Sequence, residues 1–132
     1  MKKIIICGSM SVIDKMKDMS ILLNKLGFTP ILPGEDDRDS IPQDKRNEYK
    51  REVSMRHFSE IAKADTYAIL VVNELKNGIS NYIGANTFAE VAIAFYFGKK
   101  IFLLNDIYDK LSDELLGWGA VPLHGEIQNI DT

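Results

Sequence analysis

Residues 66–72, TYAILVV, decide the fold of this 132-residue chain. The run is apolar almost throughout and ends in β-branched residues, which is typical of a strand buried on both faces of a parallel sheet. A half-exposed strand would alternate polar and apolar residues instead. We therefore predict that 66–72 form a central strand, and we interpret the rest of the chain outward from it.

Helical and strand patterns alternate on both sides of this strand. Apolar residues recur at helical spacing from about 44 to 63, which predicts a long amphipathic helix. C-terminal to the central strand, the predicted elements are a polar loop at 73–84, a helix at 87–97, a strand at 101–104, a short helix at 112–116 and a weak final strand at 120–123.

The N-terminal part begins with another buried strand. Residues Lys3–Cys7, KIIIC, are followed by a helical pattern over 11–26 and by a short strand at 28–32. Pro30 cannot donate a ladder hydrogen bond, so this short strand is expected at an edge of the sheet. The charged segment 34–45 is predicted to be an exposed loop that serves as a lid.

This order of elements predicts one α/β domain over 1–132. Strands alternating with helices imply right-handed βαβ units, a mostly parallel sheet of four to five strands and helices on both faces. In such sheets the ligand crevice lies at the carboxyl ends of the strands. We therefore expect residues 8–9, 73–90 and 105–108 to surround one crevice.

Composition excludes several classes of function. With 19 acidic and 16 basic side chains, the net charge of −3 disfavours a nucleic acid polymer as partner. No apolar run is long enough to span a membrane and no signal-peptide pattern is present, so a cytoplasmic location is expected. Cys7 is expected to be an inert buried thiol, and the two histidines lack metal-ligand spacing.

The end of the first strand is a candidate for oxyanion binding. Gly8 and Ser9 precede the first helix, where backbone N–H groups and hydroxyls can contact phosphate or sugar oxygens. The alternative is that Ser9 only caps the helix and Gly8 only permits the turn. No P-loop and no dinucleotide-binding fingerprint occur, and we expect no cofactor.

Glu90 is the strongest candidate for chemistry. It is the only acidic residue between Glu74 and Asp106, and it is predicted in the first turn of an apolar helix. Asn86 and Thr87 are both candidates for the N-cap, and with Thr87 there the carboxylate of Glu90 would have the spacing of a capping box. On a helix buried deeply enough to bring it to the crevice, the carboxylate could instead act as a nucleophile.

These residues resemble the nucleoside 2-deoxyribosyltransferase family, which includes the 2'-deoxynucleoside 5'-phosphate N-hydrolases. The resemblance extends over about residues 3–104 and is sharpest around Glu90. It is carried by the Gly-Ser strand end, Ala64-Asp65, the Gly84, Thr87 and Glu90 spacing, Ala94, and Gly98-Lys99-Lys100. It implies a flavodoxin-like three-layer fold and a retaining attack by the glutamate on the anomeric carbon of a 2'-deoxynucleoside or its 5'-monophosphate.

The resemblance also suggests substrate-binding residues. It assigns Gly8, Ser9, Asp65, Gly84, Asn86 and Thr87 to this role. Three positions depart from the pattern of the family. Gly84 replaces a common aspartate, Asn86 replaces a common glycine, and His57 lies where the family has a further aspartate. His57 is assigned to catalysis, by holding or protonating a base or orienting Glu90; a purely structural role is the alternative. Asp65 has the alternative of anchoring its strand. Tyr82 is a candidate to stack on a nucleobase, with packing against the neighbouring helix as the alternative.

Two other functions remain open at this stage. The first is a nucleotide-binding or sensing module that kept the crevice without efficient catalysis, favoured by Gly84 and His57. The second is a flavin-carrying electron-transfer protein, although the loop after the first strand lacks a Ser/Thr-rich phosphate cradle. Phe95, Tyr96 and Phe97 in succession predict a homodimer or higher homo-oligomer. Arg51 and Arg56 are candidates to contact a 5'-phosphate.

Overall fold

The computed structural model describes residues 2–34 and 38–130. Its strands are β1 (Lys3–Cys7), β2 (Thr29–Ile31), β3 (Thr66–Val71), β4 (Lys100–Leu103) and β5 (Val121–Pro122). Its α-helices are α1 (Ile13–Lys25), α2 (Arg46–Ala62), α3 (Ala85–Tyr96) and α4 (Ser112–Gly117). Short 3-10 helices occupy Met10–Val12, Arg38–Ser40, Gln43–Lys45, Asp109–Leu111 and Ile127–Asn129.

The strands form a single sheet in the order β2-β1-β3-β4-β5, and every neighbouring pair is parallel. This is the flavodoxin-like order, in which the connection reverses direction beside the first strand. The predicted central position of β3 and the edge position of the Pro30 strand are confirmed. The pairing of β5 with β4 confirms the weak final strand.

Two apolar cores lie on opposite faces of the sheet, because successive strand residues point to opposite faces. Ile4 and Ile6 of β1 pack with α1 on one face. Ile5 and Cys7 lie on the other face, within the core formed with α2, α3 and α4. The result is a three-layer α/β fold with the sheet in the middle, as the resemblance implied.

Two local predictions about α3 are wrong. The helix begins at Ala85, with Gly84 as N-cap residue and no side-chain cap, so neither Asn86 nor Thr87 caps it. Glu90 consequently lies in the second turn, too far along the helix for a capping box. The capping explanation for the Glu90 carboxylate therefore falls away.

The exposed aromatic residues of α3 are partly covered within the chain. The side chain of Trp118 stacks between Phe88 and Phe95, at centroid distances of 5.4 and 5.2 Å. Tyr96 remains 81% exposed and Phe97 47% exposed. Association between copies of the chain stays a prediction.

The charged segment after β2 is only partly described. The two 3-10 helices at Arg38–Ser40 and Gln43–Lys45 interrupt the loop expected over 34–45. Residues 35–37, which belong to the predicted lid, lie outside the described residues. No helix among the described residues combines the length and apolar character needed to cross a membrane.

Candidate active site

A cavity of about 770 Å³ opens at the carboxyl ends of β1 and β3. One wall is a face of α2, and the start of α3 and the loop after β1 form other parts of the lining. Eight of the nine predicted site residues line it, namely Gly8, Ser9, His57, Tyr82, Gly84, Asn86, Thr87 and Glu90. A volume of this size suits a small organic ligand such as a nucleotide.

Helix α2 runs antiparallel to the strands and forms the long wall. Glu60, near its C-terminus, pairs with Lys3 at the amino end of β1, whereas Arg46 at its start lines the cavity. At about 100° per residue, Arg46 and Lys50 lie within roughly 20° of His57 around the helix axis. One stripe of α2 therefore faces the cavity over most of the helix length.

The Glu90 carboxylate and the His57 imidazole meet at the inner end of this cavity. The His57 Nδ1 donates to Glu90 Oε2 at 2.7 Å. Glu90 is 7% exposed, and it is the only carboxylate among the described residues that line the cavity. A buried carboxylate must have a partner, since an unpaired charge away from water is strongly destabilising. His57 supplies that partner and fixes the carboxylate's position.

The hydrogen bond to Glu90 raises the pKa of His57 above its ordinary value of 6.5. Partial burial and the positive charges of Arg56 and Lys50 oppose this increase, but the bond to Glu90 is the largest effect. The imidazolium form therefore persists to a higher pH than in a free histidine, and it donates to the Glu90 carboxylate. The pair holds the carboxylate in a fixed position.

Cys7 lies in the same core as the residues that support α3, and its side chain is fully buried. Burial raises the pKa of the Cys7 thiol well above its ordinary value, and the charge and hydrogen bonding of Glu90 add to the effect. A neutral, inaccessible thiol does not act as a nucleophile at neutral pH. The inert role expected from the sequence fits this environment.

Lys76 brings a positive charge to the end of β1, a contribution that sequence reasoning missed. It begins a tight hairpin in which Lys76 and Ile79 exchange backbone hydrogen bonds of 3.0 and 2.9 Å across Asn77 and Gly78. Both turn residues have positive φ, as a type I′ turn requires. The Asn-Gly dipeptide was a readable sign of this hairpin.

The Lys76 ammonium group donates to Ser9 Oγ at 3.1 Å. Ser9 Oγ is also 2.9 Å from Ser11 Oγ and accepts from the Ser11 backbone N–H at 3.3 Å. Among the described residues, Lys76 has no carboxylate within ion-pair distance. A cation beside two hydroxyl groups is suited to bind an oxyanion.

Tyr82 forms part of the cavity wall beside this cluster. Its ring lies 5.8 Å from that of Tyr108, and Lys76 Nζ lies 5.4 Å above it. A Cβ atom at Gly84 would meet the Tyr82 ring at 3.4 Å, so the ring occupies the space next to the start of α3. Tyr82 is therefore held in place by its surroundings, with its ring available to a ligand.

Three expectations about the site need correction. Asp65 lies at the amino end of β3, where its carboxylate pairs with Lys3 at 2.8 Å, on the edge of the sheet opposite the cavity. Its assignment to substrate binding is wrong on position, and the anchoring alternative fits. Arg51 and Arg56 are exposed and do not line the cavity; Arg46 and Lys50 do.

The third correction concerns residues 105–108, which were expected at the crevice but do not line it. Asn105 instead bonds with Asn73 and with Glu74, which ties the loop after β4 to the loop after β3. Pro33 and Gly34 after β2 line the cavity in their place. The crevice is thus displaced towards β2 and α2.

No cluster of three or more His, Cys, Asp or Glu side chains that could hold a metal ion occurs within residues 2–34 and 38–130. The polar groups of the cavity are a carboxylate, an imidazole, hydroxyls and cations. These groups are suited to binding an anionic ligand and to attacking it with a carboxylate.

Comparison with solved structures shows the same fold in a CMP N-glycosidase, BcmB, from Clostridium botulinum. The TM-score is 0.59 over 97% of this chain and 93% of the other, at 13% sequence identity. No protein-family profile matches the sequence, and no curated protein matches it at a significant level. At this identity the likeness establishes the α/β architecture.

Proposed function

We propose that this protein cleaves or transfers the N-glycosidic bond of a 2'-deoxynucleoside or its 5'-monophosphate, with Glu90 as the nucleophile. The observation that carries the proposal is the Glu90 carboxylate itself. It is buried, anchored by His57 at 2.7 Å, and lines a cavity large enough for a nucleotide. The CMP N-glycosidase with the same fold supports a reaction at an N-glycosidic bond.

The first step forms a bond between a Glu90 carboxylate oxygen and the anomeric carbon, and breaks the bond between that carbon and the base nitrogen. The electron pair of the broken bond leaves with the base, which takes up a proton from water. In the second step water, or a ring N–H of another base, attacks the anomeric carbon, gives up a proton to solvent and releases the carboxylate. The positive charge that develops on the sugar is stabilised by the adjacent carboxylate.

His57 acts as a positioning residue whose charge responds to this reaction. While Glu90 is ionised, it holds the pKa of His57 high. Formation of the ester removes the negative charge from Glu90, and the loss of this charge makes the imidazolium more acidic. Because the base departs on the face of the sugar opposite Glu90, His57 acts by holding the carboxylate in position.

Lys76, Ser9 and Ser11 are the groups we assign to the 5' end of the substrate. They combine one cation with two hydroxyls at the start of the helical segment that leads into α1. Tyr82 is assigned to contact the sugar or the base beside them. Gly84, Asn86 and Thr87 complete the wall near the start of α3.

A nucleotide-binding or sensing module remains the second candidate, and one observation favours it. Retaining glycosidases commonly use two carboxyl groups about 5 Å apart, whereas Glu90 is the only carboxylate in the described lining of this cavity. Binding without turnover is the behaviour expected of such a module.

Base release distinguishes the two candidates. The protein is incubated with nucleosides, 2'-deoxynucleosides and their 5'-monophosphates, and the free base is measured by liquid chromatography. We expect release of base from at least one deoxy substrate, and formation of a new nucleoside when a second base is present if the protein is a transferase. Tight binding of a nucleotide with no base released from any substrate would favour the sensing module.

A further inference from the structure

Arg46 and Lys50 are two cavity cations that the proposed reaction does not use. Both line the cavity on the α2 stripe that carries His57. The Arg46 Nε donates to the Ile41 carbonyl oxygen at 3.3 Å, which fixes the guanidinium and leaves its terminal nitrogens as donors. Neither side chain has a carboxylate within ion-pair distance among the described residues.

Their distance from Glu90 determines what they can contact. With a rise of 1.5 Å per residue, Lys50 is about 10 Å and Arg46 about 16 Å along the helix axis from His57. The anomeric carbon must lie within about 3.5 Å of the attacking carboxylate. Lys50 and Arg46 are thus attached about two and three helical turns from His57, on the part of the wall that faces groups extending beyond the sugar ring.

The Lys76 cluster lies on a different wall of the same cavity, at the ends of β1 and β3. The described lining thus carries two separate groups of permanent cations and a single carboxylate, which is paired with His57. A single phosphate can contact only one of these two groups of cations. The second group, Arg46 and Lys50, can bind a further anion, because guanidinium and ammonium groups that line a ligand cavity are stabilised by negative charge on the ligand.

We propose that Arg46 and Lys50 form a second anion-binding subsite, so that the cavity takes a nucleotide with two separate anionic groups. This inference rests on the proposed nucleotide substrate and specifies that the substrate carries two anionic groups at separate positions. The second anion is a phosphate or carboxylate group, carried by the distal end of a polyphosphate chain or by the base.

Binding to the Glu90→Gln protein tests the subsite without interference from turnover. Titration calorimetry at constant ionic strength compares ligands that differ by one anionic group. The polyphosphate arm uses deoxyuridine mono-, di- and triphosphate. The base arm uses uridine monophosphate against orotidine monophosphate, and nicotinamide mononucleotide against nicotinic acid mononucleotide. We expect about tenfold tighter binding in one arm for the ligand with the additional anion.

The same helix offers a matched control. The double variant Arg46→Gln/Lys50→Gln should lose the tenfold preference, whereas Arg51→Gln/Arg56→Gln, which removes two charges from the exposed side of α2, should keep it. Melting temperatures confirm that each variant is folded, and kcat/KM of proteins with native Glu90 provides a second measurement of the same preference.

Equal affinities within every ligand pair, or an equal loss of preference in the control variant, would overturn the subsite. These outcomes are separate from those for the proposed function. Base release by the native protein with no preference for a second anion leaves Glu90 as nucleophile and removes the subsite. Tighter binding of the ligand with the additional anion, without release of base from any substrate, would support the subsite and contradict the proposed enzymatic activity.

Discussion

Replacing Glu90 by glutamine is expected to lower kcat for base release by at least about a thousandfold. The amide has nearly the same shape as the carboxylate, and its oxygen can still accept the hydrogen bond from His57, so folding and nucleotide binding should persist. Its oxygen is a much weaker nucleophile, however, and no ester forms at a useful rate. The measurement is the initial rate of base release under saturating substrate.

Asp65→Asn is the matched control for this experiment. The sequence resemblance assigned Asp65 to the substrate, but its carboxylate pairs with Lys3 on the opposite edge of the sheet. We therefore expect kcat and KM of the Asp65→Asn protein to stay within about twofold of the native values. A large effect at Asp65, combined with native activity of Glu90→Gln, would contradict the location of the site.

Replacing His57 should have the next largest effect. His57→Ala leaves the Glu90 carboxylate without its hydrogen-bond donor, and we expect kcat to fall about a hundredfold, because the nucleophile is no longer held in position. His57→Asn keeps an amide N–H close to the position of Nδ1 and should recover the part of this loss that is due to positioning. A structural role alone would lower stability without changing the pH profile.

The pH profile separates positioning from proton transfer. Because the bond to Glu90 raises the pKa of His57 in the folded protein, the stabilisation from the pair is fully present below the unfolded value of about 6.5. It is lost as the pH rises through the folded value. Native activity should decline over the same range, and this alkaline decline should be absent from His57→Asn. An identical decline in both proteins would exclude His57 as its origin.

The strands along the chain, the central position of β3 and the edge position of β2 could be predicted, because each rests on a local sequence pattern. The apolar runs at 3–7 and 66–72 are buried on both faces, and this requires helices above and below a parallel sheet. Pro30 identified the edge strand because proline has no backbone N–H to donate to a neighbouring strand. The start of α3 was misplaced by two residues, because Gly84 serves as N-cap residue without a side chain to signal it.

The site could be predicted where a residue's position follows from the topology. Gly8, Ser9 and the residues before Glu90 come after strand ends, and the carboxyl edge of the sheet brings them together. The assignment of Asp65 to the site did not fit, because Asp65 precedes β3 and therefore lies at the amino end of the sheet, away from the cavity. Strand connectivity thus fixes the edge on which a residue lies, while a motif match does not.

Which basic side chains reach the cavity depends on their angular position around α2 and on the geometry of the hairpin that carries Lys76. Arg51 and Arg56 were chosen for charge alone, but they lie roughly 120° and 100° from His57 around α2. Arg46 and Lys50 share the phase of His57, and the sequence would have shown this once His57 was taken as the reference. Lys76 reaches the site because an Asn-Gly turn carries it back towards Ser9, a contact between residues 67 positions apart.

Trapping of the glycosyl-enzyme is the most direct test of Glu90 as nucleophile. A nucleotide with fluorine at the 2' position slows both steps by destabilising the positively charged transition state, so the ester can accumulate when the base is a good leaving group. Mass spectrometry of the intact protein and its peptides should show one added fluorinated sugar 5-phosphate, attached at Glu90, and no addition to Glu90→Gln. Release of base with an adduct on another residue would contradict the account.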